Sequence, residues 1–405
     1  MERLIGIAGI LVLLCIALAM SNNRKAISWQ LVTWGLGIQI LFAIIILKTP
    51  VGVPFFGVID IGIKNLLSFS DAGSDFLFKS FRYGVVEDPL MNFAFRILPT
   101  LIFFSSLIAV LYHLGIMQFV VKWIARVMQK SMGTSGSETL CVSGNIFVGQ
   151  TEAPLLVRPF ILKMTKSELM AVMVGGFATV AGGVMAMYVS MLGNIPGIAG
   201  HLLAASIMSA PAALVIAKII YPETEASDTF GDLKIALDKK DDNIMEALSR
   251  GATNGMKLAA NVAAMLVAFV AIIAMVNAIL GLIDLSLQQI LGWIFSPLAW
   301  VMGVPWNEAG IIGSLMGEKL VLTELIAFGD LSELMTTNSI SDRSAIIASY
   351  ALCGFANFAS VGIQLGGIGG IAPERRKDLA KLGLKAMFGG ALASWLTATI
   401  AGILI

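Results

Sequence analysis

The sequence predicts an all-α polytopic membrane protein with eight transmembrane helices plus two opposed re-entrant hairpins, arranged as inverted repeats with discontinuous helices. Three observations predict it. Of 405 residues, 57% are hydrophobic and only 13% charged, with a mean hydropathy of +0.87. Soluble domains run at about 25% charged, so this chain lacks the charge to cover a water-facing surface and must present apolar area to lipid. Eight stretches approach the roughly 20 apolar residues that a bilayer core demands. Two further stretches are apolar yet interrupted by glycine, proline and carboxylates, and each precedes a span bearing the same tripeptide.

The first span runs from Leu4 to Met20. Its end, Ala17-Leu18-Ala19 before Met20-Ser21, resembles a signal-peptidase site, but Glu2 and Arg3 lead it and Arg24 and Lys25 follow it, the reverse of a secretory signal. An uncleaved helix that starts outside is expected. The second span is Val32 to Leu47, and the glycine-rich stretch from Pro50 to Tyr83, mixing apolar and charged residues, is expected at the membrane interface. Phe95 to Val121, Leu169 to Leu192 and Leu202 to Tyr221 form the third to fifth spans. Pro222 to Arg250 carries both charge signs in near balance and is expected to be a cytoplasmic, partly helical, solvated connection without chemistry. Met256 to Leu280, Ala345 to Ile368 and Leu379 to Ile405 complete the set. With both termini outside and the spans alternating, 19 of the 27 basic residues fall on the cytoplasmic side, and Pro373-Glu374-Arg375-Arg376-Lys377 is the firmest anchor.

Between the third and fourth spans lies Ser131 to Pro159, holding Gly144-Asn145-Ile146-Phe147-Val148-Gly149-Gln150-Thr151-Glu152-Ala153-Pro154. Between the sixth and seventh lies Val301 to Asp330, which includes Met316 to Phe328. Broken backbone at membrane depth survives only where protein or a water-filled cavity satisfies its polar groups, so both read as re-entrant hairpins, one dipping from each side. Each carries a Thr-Glu pair, Thr151-Glu152 and Thr323-Glu324. Each following span carries Gly-Phe-Ala, in Gly176-Phe177-Ala178-Thr179 and Gly354-Phe355-Ala356-Asn357. An odd number of crossings separates the copies and gives them opposite topology, the arrangement of secondary transporters. The chain then divides into 1–130, N-terminal helices and interfacial segment, part of a scaffold; 131–221, first hairpin, broken helix and following span; 222–250, cytoplasmic connection; and 251–405, sixth span, second hairpin, broken seventh span and eighth span.

A formal net charge of +1 removes the basic footprint of a nucleic-acid partner. Cys15, Cys141 and Cys353 sit in apolar segments and are expected to be small buried residues, and His113 and His201 are too few and too distant for a zinc or haem site. Nothing resembles a nucleophile with its base, which speaks against a membrane-embedded enzyme. Carboxylates in apolar stretches cost at least a few kcal/mol unless partnered. At Glu152 the dense polar run Gln150-Thr151-Glu152 points to a ligand, whereas Glu324 has a structural alternative, as partner to a hairpin-end amide or to Lys319. Asn357 and Ser360, three apart, would share a helix face beside the aromatic wall of Phe355; interhelical hydrogen bonding is the other reading. Amides, hydroxyls and carboxylates without a central Arg or Lys suit a neutral ligand rich in hydroxyls and ring amides, not a phosphate. Asn145 and Thr179, with backbone carbonyls at the helix breaks, fit either a hard monovalent cation or ordinary helix capping.

The motifs Gly149 to Pro154, Asn254-Gly255 with Ala264-Met265, Gly317-Glu318-Lys319 through Thr323-Glu324, and Tyr350 to Ser360 resemble those of bacterial concentrative nucleoside transporters. The resemblance implies a sodium-driven nucleoside symporter working by alternating access in a bacterial inner membrane, with both termini periplasmic. It implies a homotrimer in which each protomer holds its own uridine-like nucleoside. Residue roles follow from the same resemblance: Gln150, Thr151 and Glu152 at the base with Val184 packing on it; Glu324, Asn357 and Ser360 at the ribose with Phe355 lining the pocket. Sodium (Na+) would be held by Asn145, the Val148 carbonyl, Thr179 and the Val180 carbonyl. The run Thr323-Glu324-Leu325-Ile326-Ala327-Phe328 departs from the family's Asn-Glu-Phe-Val-Ala-Tyr but keeps the carboxylate, and Thr179 keeps a hydroxyl where serine is frequent. A proton-coupled symporter with a titrating glutamate is the alternative reading, and a passive nucleoside channel the next.

Overall fold

The computed structural model describes residues 2–49, 54–64, 98–193, 195–229 and 241–405, with the backbone alone at 2–5, 98 and 265–274. The start of the expected third span, most of the expected interfacial stretch and residues 230–240 of the polar connection lie outside the described residues. All regular structure among the described residues is helical. After α1 (Glu2–Met20), α2 (Trp29–Lys48) and a short helix α3 (54–64), two series of elements follow in the same order. The first is α4 (Leu98–His113), α5 (Ile116–Met132), α6 (Gly136–Gly144), a 3-10 segment (Ala153–Lys163), α7 (Lys166–Ala178), α8 (Gly182–Met191) and α9 (Ile198–Ile220). The second is α10 (Ile244–Leu280), α11 (Leu287–Val301), α12 (Trp306–Val321), α13 (Glu324–Thr336), α14 (Asp342–Leu352), α15 (Phe358–Ile371) and α16 (Arg376–Leu404). Among the described residues four helices are long and apolar enough to cross a bilayer, or up to six if each of two sharply bent pairs is one span.

Those bent pairs correct the sequence reading. The expected third span, Phe95 to Val121, is interrupted: Gly115 adopts φ +78°, a left-handed conformation open to glycine, and α5 leaves α4 at 76°. From there the pattern is that of an amphipathic helix. Met117, Val121, Ala125, Met128 and Met132 are buried, while Lys122, Arg126 and Lys130, four apart, are exposed. The second series repeats the device at residues for which no element was expected. Residues 275–283 meet α11 at 82°, and Ser286 with Gln289 forms a capping box that starts α11.

Close packing follows small residues. A Cβ on Gly251 of α10 would lie 2.6 Å from Ser106 Cα, and one on Gly255 would lie 2.6 Å from Ile102 Cα. This glycine pair, four residues apart, is what lets α10 lie along α4 with backbones in contact. At the core, α7, α9, α14 and α16 pack on one another and are buried on most faces. The α1 helix lies on α16, and α2 on α9 and α16, with buried Gln39 of α2 donating to Thr397 Oγ1 of α16 at 2.9 Å.

The polar connection proves to be more than a solvated linker at its start. Ser135-x-x-Glu138 and Thr165-x-x-Glu168 form capping boxes on α6 and α7, and both glutamates are recruited a second time. Lys218, near the end of α9, pairs with Glu138 Oε2 at 2.7 Å and donates to Ser167 Oγ at 2.8 Å, while Ser227 and Thr229 donate to Glu168. Both Lys218 and Glu138 are buried, so this pair, with its satisfied partners, fastens the base of the first helical hairpin to α9.

Candidate functional site

Each series contains a helix–turn–helix unit whose tip meets the break in the helix that follows. In the first, α6 ends at Gly144, the chain turns through 145–152, and Pro154 helps start the 3-10 segment. The break in the next helix is the extended run Thr179 to Ala181. Gly182 N, just past that break, donates to Phe147 O of the tip at 2.9 Å. Asn145, 1% exposed, has both side-chain polar atoms buried without a protein partner. Thr179, also buried, donates its hydroxyl to Gly175 O at 2.9 Å, and its lone pairs remain as acceptors. Val148 and Val180 are buried beside them. The four residues expected to hold sodium therefore lie on two segments joined by one hydrogen bond. The set fits a hard monovalent cation: the buried Asn145 amide oxygen, without a partner among the described protein groups, is an acceptor open to a hydrogen-bond donor or a cation.

In the second unit Thr323 caps α13 by accepting from Leu325 N at 3.2 Å, which makes Glu324 the first helical residue. Glu324 is 4% exposed, and both its oxygens are engaged: Tyr188 OH donates to Oε1 at 2.8 Å and Asn357 Nδ2 donates to Oε2 at 2.8 Å. Two strong donors aimed at one carboxyl suit its ionised form. The Tyr188 ring also stacks on Phe328, centroids 4.3 Å apart. Lys319 is not the partner of Glu324. Its Nζ donates to Ala351 O at 2.8 Å, Cys353 O at 3.4 Å and Ser394 Oγ at 2.8 Å, tying α12 to the broken seventh span and to α16. Asn357 and Ser360 are related by capping, not by a shared helix face: Asn357 is the N-cap of α15, and its Oδ1 accepts from Ser360 N at 2.8 Å.

Helix α15 links the two tips. Gln364, one turn after Ser360, donates to Gln150 Oε1 at 3.0 Å and to Met173 O at 3.1 Å. A Cβ on Gly367 would lie 2.6 Å from Thr151 Cγ2, so Thr151 sits directly against the next turn. Val184 and Tyr188 are one turn apart on α8. Phe355 is half-buried in the second break, and Glu152 is exposed, with Oε2 accepting from Gly149 N at 3.3 Å. The breaks touch as well: Gly354 has φ +123°, and a Cβ there would lie 2.7 Å from Phe177 O. Tyr188, Gln364 and the true partners of Lys319 escaped the sequence reading. A lone amide four residues after Ser360 in an otherwise apolar helix was the signal available for Gln364.

Hairpin tips and helix breaks gathered in one apolar helical bundle define a membrane transporter built on discontinuous helices. Residues 8–81 and 201–402 match family models for the N-terminus and C-terminus of Na+ dependent nucleoside transporters, and residues 94–195 match one for nucleoside recognition. The chain belongs to the concentrative nucleoside transporter family, alongside bacterial members. It is 45% identical to an uncharacterized transporter of Haemophilus influenzae, covering 100% of this chain and 98% of that protein. It is 43% identical to sodium/nucleoside cotransporter 1 of Rattus norvegicus, of whose length it spans 64%. Among solved structures, CNTnw in an inward-facing substrate-bound state matches with a TM-score of 0.91 at 44% identity, over 100% of this chain and 98% of that one. An outward-facing variant of CNTnw matches equally, with a TM-score of 0.91. The protein is thus a multi-pass membrane transporter of the nucleoside class and not an enzyme, and sodium is the family's coupling ion.

Proposed function

We propose that this chain is a sodium-driven nucleoside symporter working by alternating access, with eight spans and two opposed re-entrant hairpins in a homotrimer in the bacterial inner membrane. The observation that carries this reading is the matched pair of tip-to-break bonds: Phe147 O with Gly182 N in one series, Glu324 with Asn357 in the other. Each repeat contributes one half of a site, as expected for inverted repeats meeting near the midplane. The first half, Gln150, Thr151 and Glu152 with Val184, takes the base through amide, hydroxyl and carboxylate groups. The second, Glu324, Asn357 and Ser360 beside Phe355, takes the ribose hydroxyls, which donate to the carboxylate.

Sodium held by Asn145, Thr179 and the carbonyls of Val148 and Val180 would fix the first tip against its break and so raise affinity for the base, a linkage that runs equally in reverse. On this reading residues 1–130 belong to the scaffold, 131–221 and 251–405 carry the two half-sites, and 222–250 joins them on the cytoplasmic side. Both termini are then periplasmic. Support for that orientation comes from Arg375, whose Nη1 donates to Ile161 O at 3.0 Å and Met164 O at 2.6 Å, so the basic cluster after the seventh span adjoins the end of the first hairpin.

The test is uptake of radiolabelled uridine into proteoliposomes under a sodium gradient, then under a matched proton gradient without sodium. Accumulation with sodium alone is expected. Accumulation with protons alone overturns the sodium assignment, and linear, unsaturable flux overturns the symporter.

A further inference from the structure

A cavity of about 620 Å3 lies between α11, α12 and α13. Its lining includes Gln288 and Trp293 of α11, Ser314 and Glu318 of α12, and Asp330 and Glu333 of α13, none of which belongs to the nucleoside or sodium positions. Glu318 is 1% exposed. Its Oε1 accepts from Ser314 Oγ at 3.4 Å, while Oε2 is buried with no donor. Asp330 comes within hydrogen-bond reach of Glu318 from across the hairpin, and the side-chain amide of Gln288 is a neutral donor to Glu318 from α11.

The contrast with Glu324, on the same hairpin, is instructive. There each carboxyl oxygen receives a protein donor; here the carboxyl meets a second carboxyl. Two carboxylates in contact repel too strongly for both to ionise, whereas one proton turns the pair into an O–H···O bond that satisfies both. The charges around them offer no substitute. From α13 the facing groups are Asp330 and Glu333, both acidic, and α11 carries no charged residue. Lys319 is bonded to the seventh span and α16, Arg343 to Gly303 O and Gly402 O, and Glu308 to Ser341.

Access is graded along one face of α13. Glu333 and Thr337 are exposed, Asp330 is half-buried, and Glu318 is enclosed. Steps of three and four residues keep Asp330, Glu333 and Thr337 on that face.

We propose that Glu318 and Asp330 hold one proton between them at neutral pH, forming a proton-binding site on the second hairpin that is separate from the nucleoside and sodium positions and is reached along α13. The inference stands whichever ion drives uptake.

The test is infrared spectroscopy of the purified full-length protein in lipid bilayers, titrated from about pH 6 to about pH 9, where ordinary carboxyls are ionised. Wild type is expected to show the carbonyl band of one neutral carboxyl at about pH 7. The band should be lost in Glu318→Gln and in Asp330→Asn, where an amide N–H replaces the shared proton, and kept in Glu324→Gln. Asp330 is half-buried, so Asp330→Asn perturbs packing little, and the wild-type titration needs no variant at all. Absence of the band in wild type, its survival in both variants, or its removal by raised sodium or potassium at fixed pH overturns the proposal.

Discussion

The bond between Tyr188 and Glu324 joins the two repeats, and a double-mutant cycle measures it. Tyr188→Phe deletes the hydroxyl that donates to Glu324 Oε1 at 2.8 Å but leaves the ring free to stack on Phe328. A hydrogen bond to a charged group nets about 1.5–3 kcal/mol, so a loss on the order of 2 kcal/mol of stability is expected. Glu324→Gln keeps the shape but replaces the carboxylate by a neutral amide, so the bond from the Tyr188 hydroxyl loses its charged acceptor and a similar cost follows. Both variants act on the same bond. The double variant should therefore cost about 1–2 kcal/mol less than the sum of the singles. Unfolding in mixed micelles supplies the energies, and sodium-driven uridine uptake supplies the function. Tyr188→Phe should retain transport with a raised KM, and Glu324→Gln should abolish it. Additivity within about 0.5 kcal/mol would refute the coupling, as would a Tyr188→Phe protein unchanged in stability and KM.

Asn145→Ala should shift the sodium dependence of uptake to roughly tenfold higher concentration, equivalent to about 1.4 kcal/mol, and a sodium titration of initial rates checks this. Lys319→Met orphans the buried carbonyls of Ala351 and Cys353 and should cost on the order of 3 kcal/mol, read as a lowered thermal midpoint of the purified protein. Gly354→Ala forces a Cβ to within 2.7 Å of Phe177 O at a φ of +123°, and should lower the same midpoint while reducing uptake. Gln364→Leu leaves Gln150 Oε1 without its donor and should weaken nucleoside binding by about 1–3 kcal/mol, measured by calorimetry in saturating sodium.

The repeat was legible in the sequence because its signals are local. Thr-Glu at each tip and Gly-Phe-Ala at each broken helix are short strings whose meaning lies in broken backbone. The strings align more simply than the backbones do, however. Gly176-Phe177-Ala178 finishes α7 and the break falls after it, whereas Gly354-Phe355-Ala356 is itself the break. Apolar run length misled at α5, since Gly115 turns the chain through 76° without interrupting hydrophobicity. It gave no signal for α11, whose partner surface comes from α12 across Gly313, where a Cβ would lie 2.7 Å from Ser296 N. Among candidate ligands, polar residues in apolar surroundings were found readily. Their partners were not, because Tyr188 reaches Glu324 across 136 positions and Gln364 reaches Gln150 across 214.

Lys319 and the two helix breaks bear on how the half-sites work together. Its ammonium grips Ala351 O, Cys353 O and Ser394 Oγ, so moving α12 away from α14 or α16 would strip a buried cation of its acceptors. The backbone at Gly354 lies against Phe177 and Ala178, and Gly390 of α16 approaches Phe177 so closely that a Cβ would lie 2.3 Å from its Cβ. These contacts bind the second hairpin, both breaks and α16 into one packed unit, and close-packed interiors transmit displacement instead of absorbing it. By contrast α4 and α10 meet each other along a glycine seam, and α4 meets the site-bearing elements at α8, where a Cβ on Gly182 would lie 2.9 Å from Ile108 Cδ1. The least costly way to expose the proposed site to opposite sides is then to move the packed unit as a whole against such a pair. Sodium at the first tip and ribose at the second would travel on the same support, so an ion that rigidifies one tip necessarily biases the position of the other.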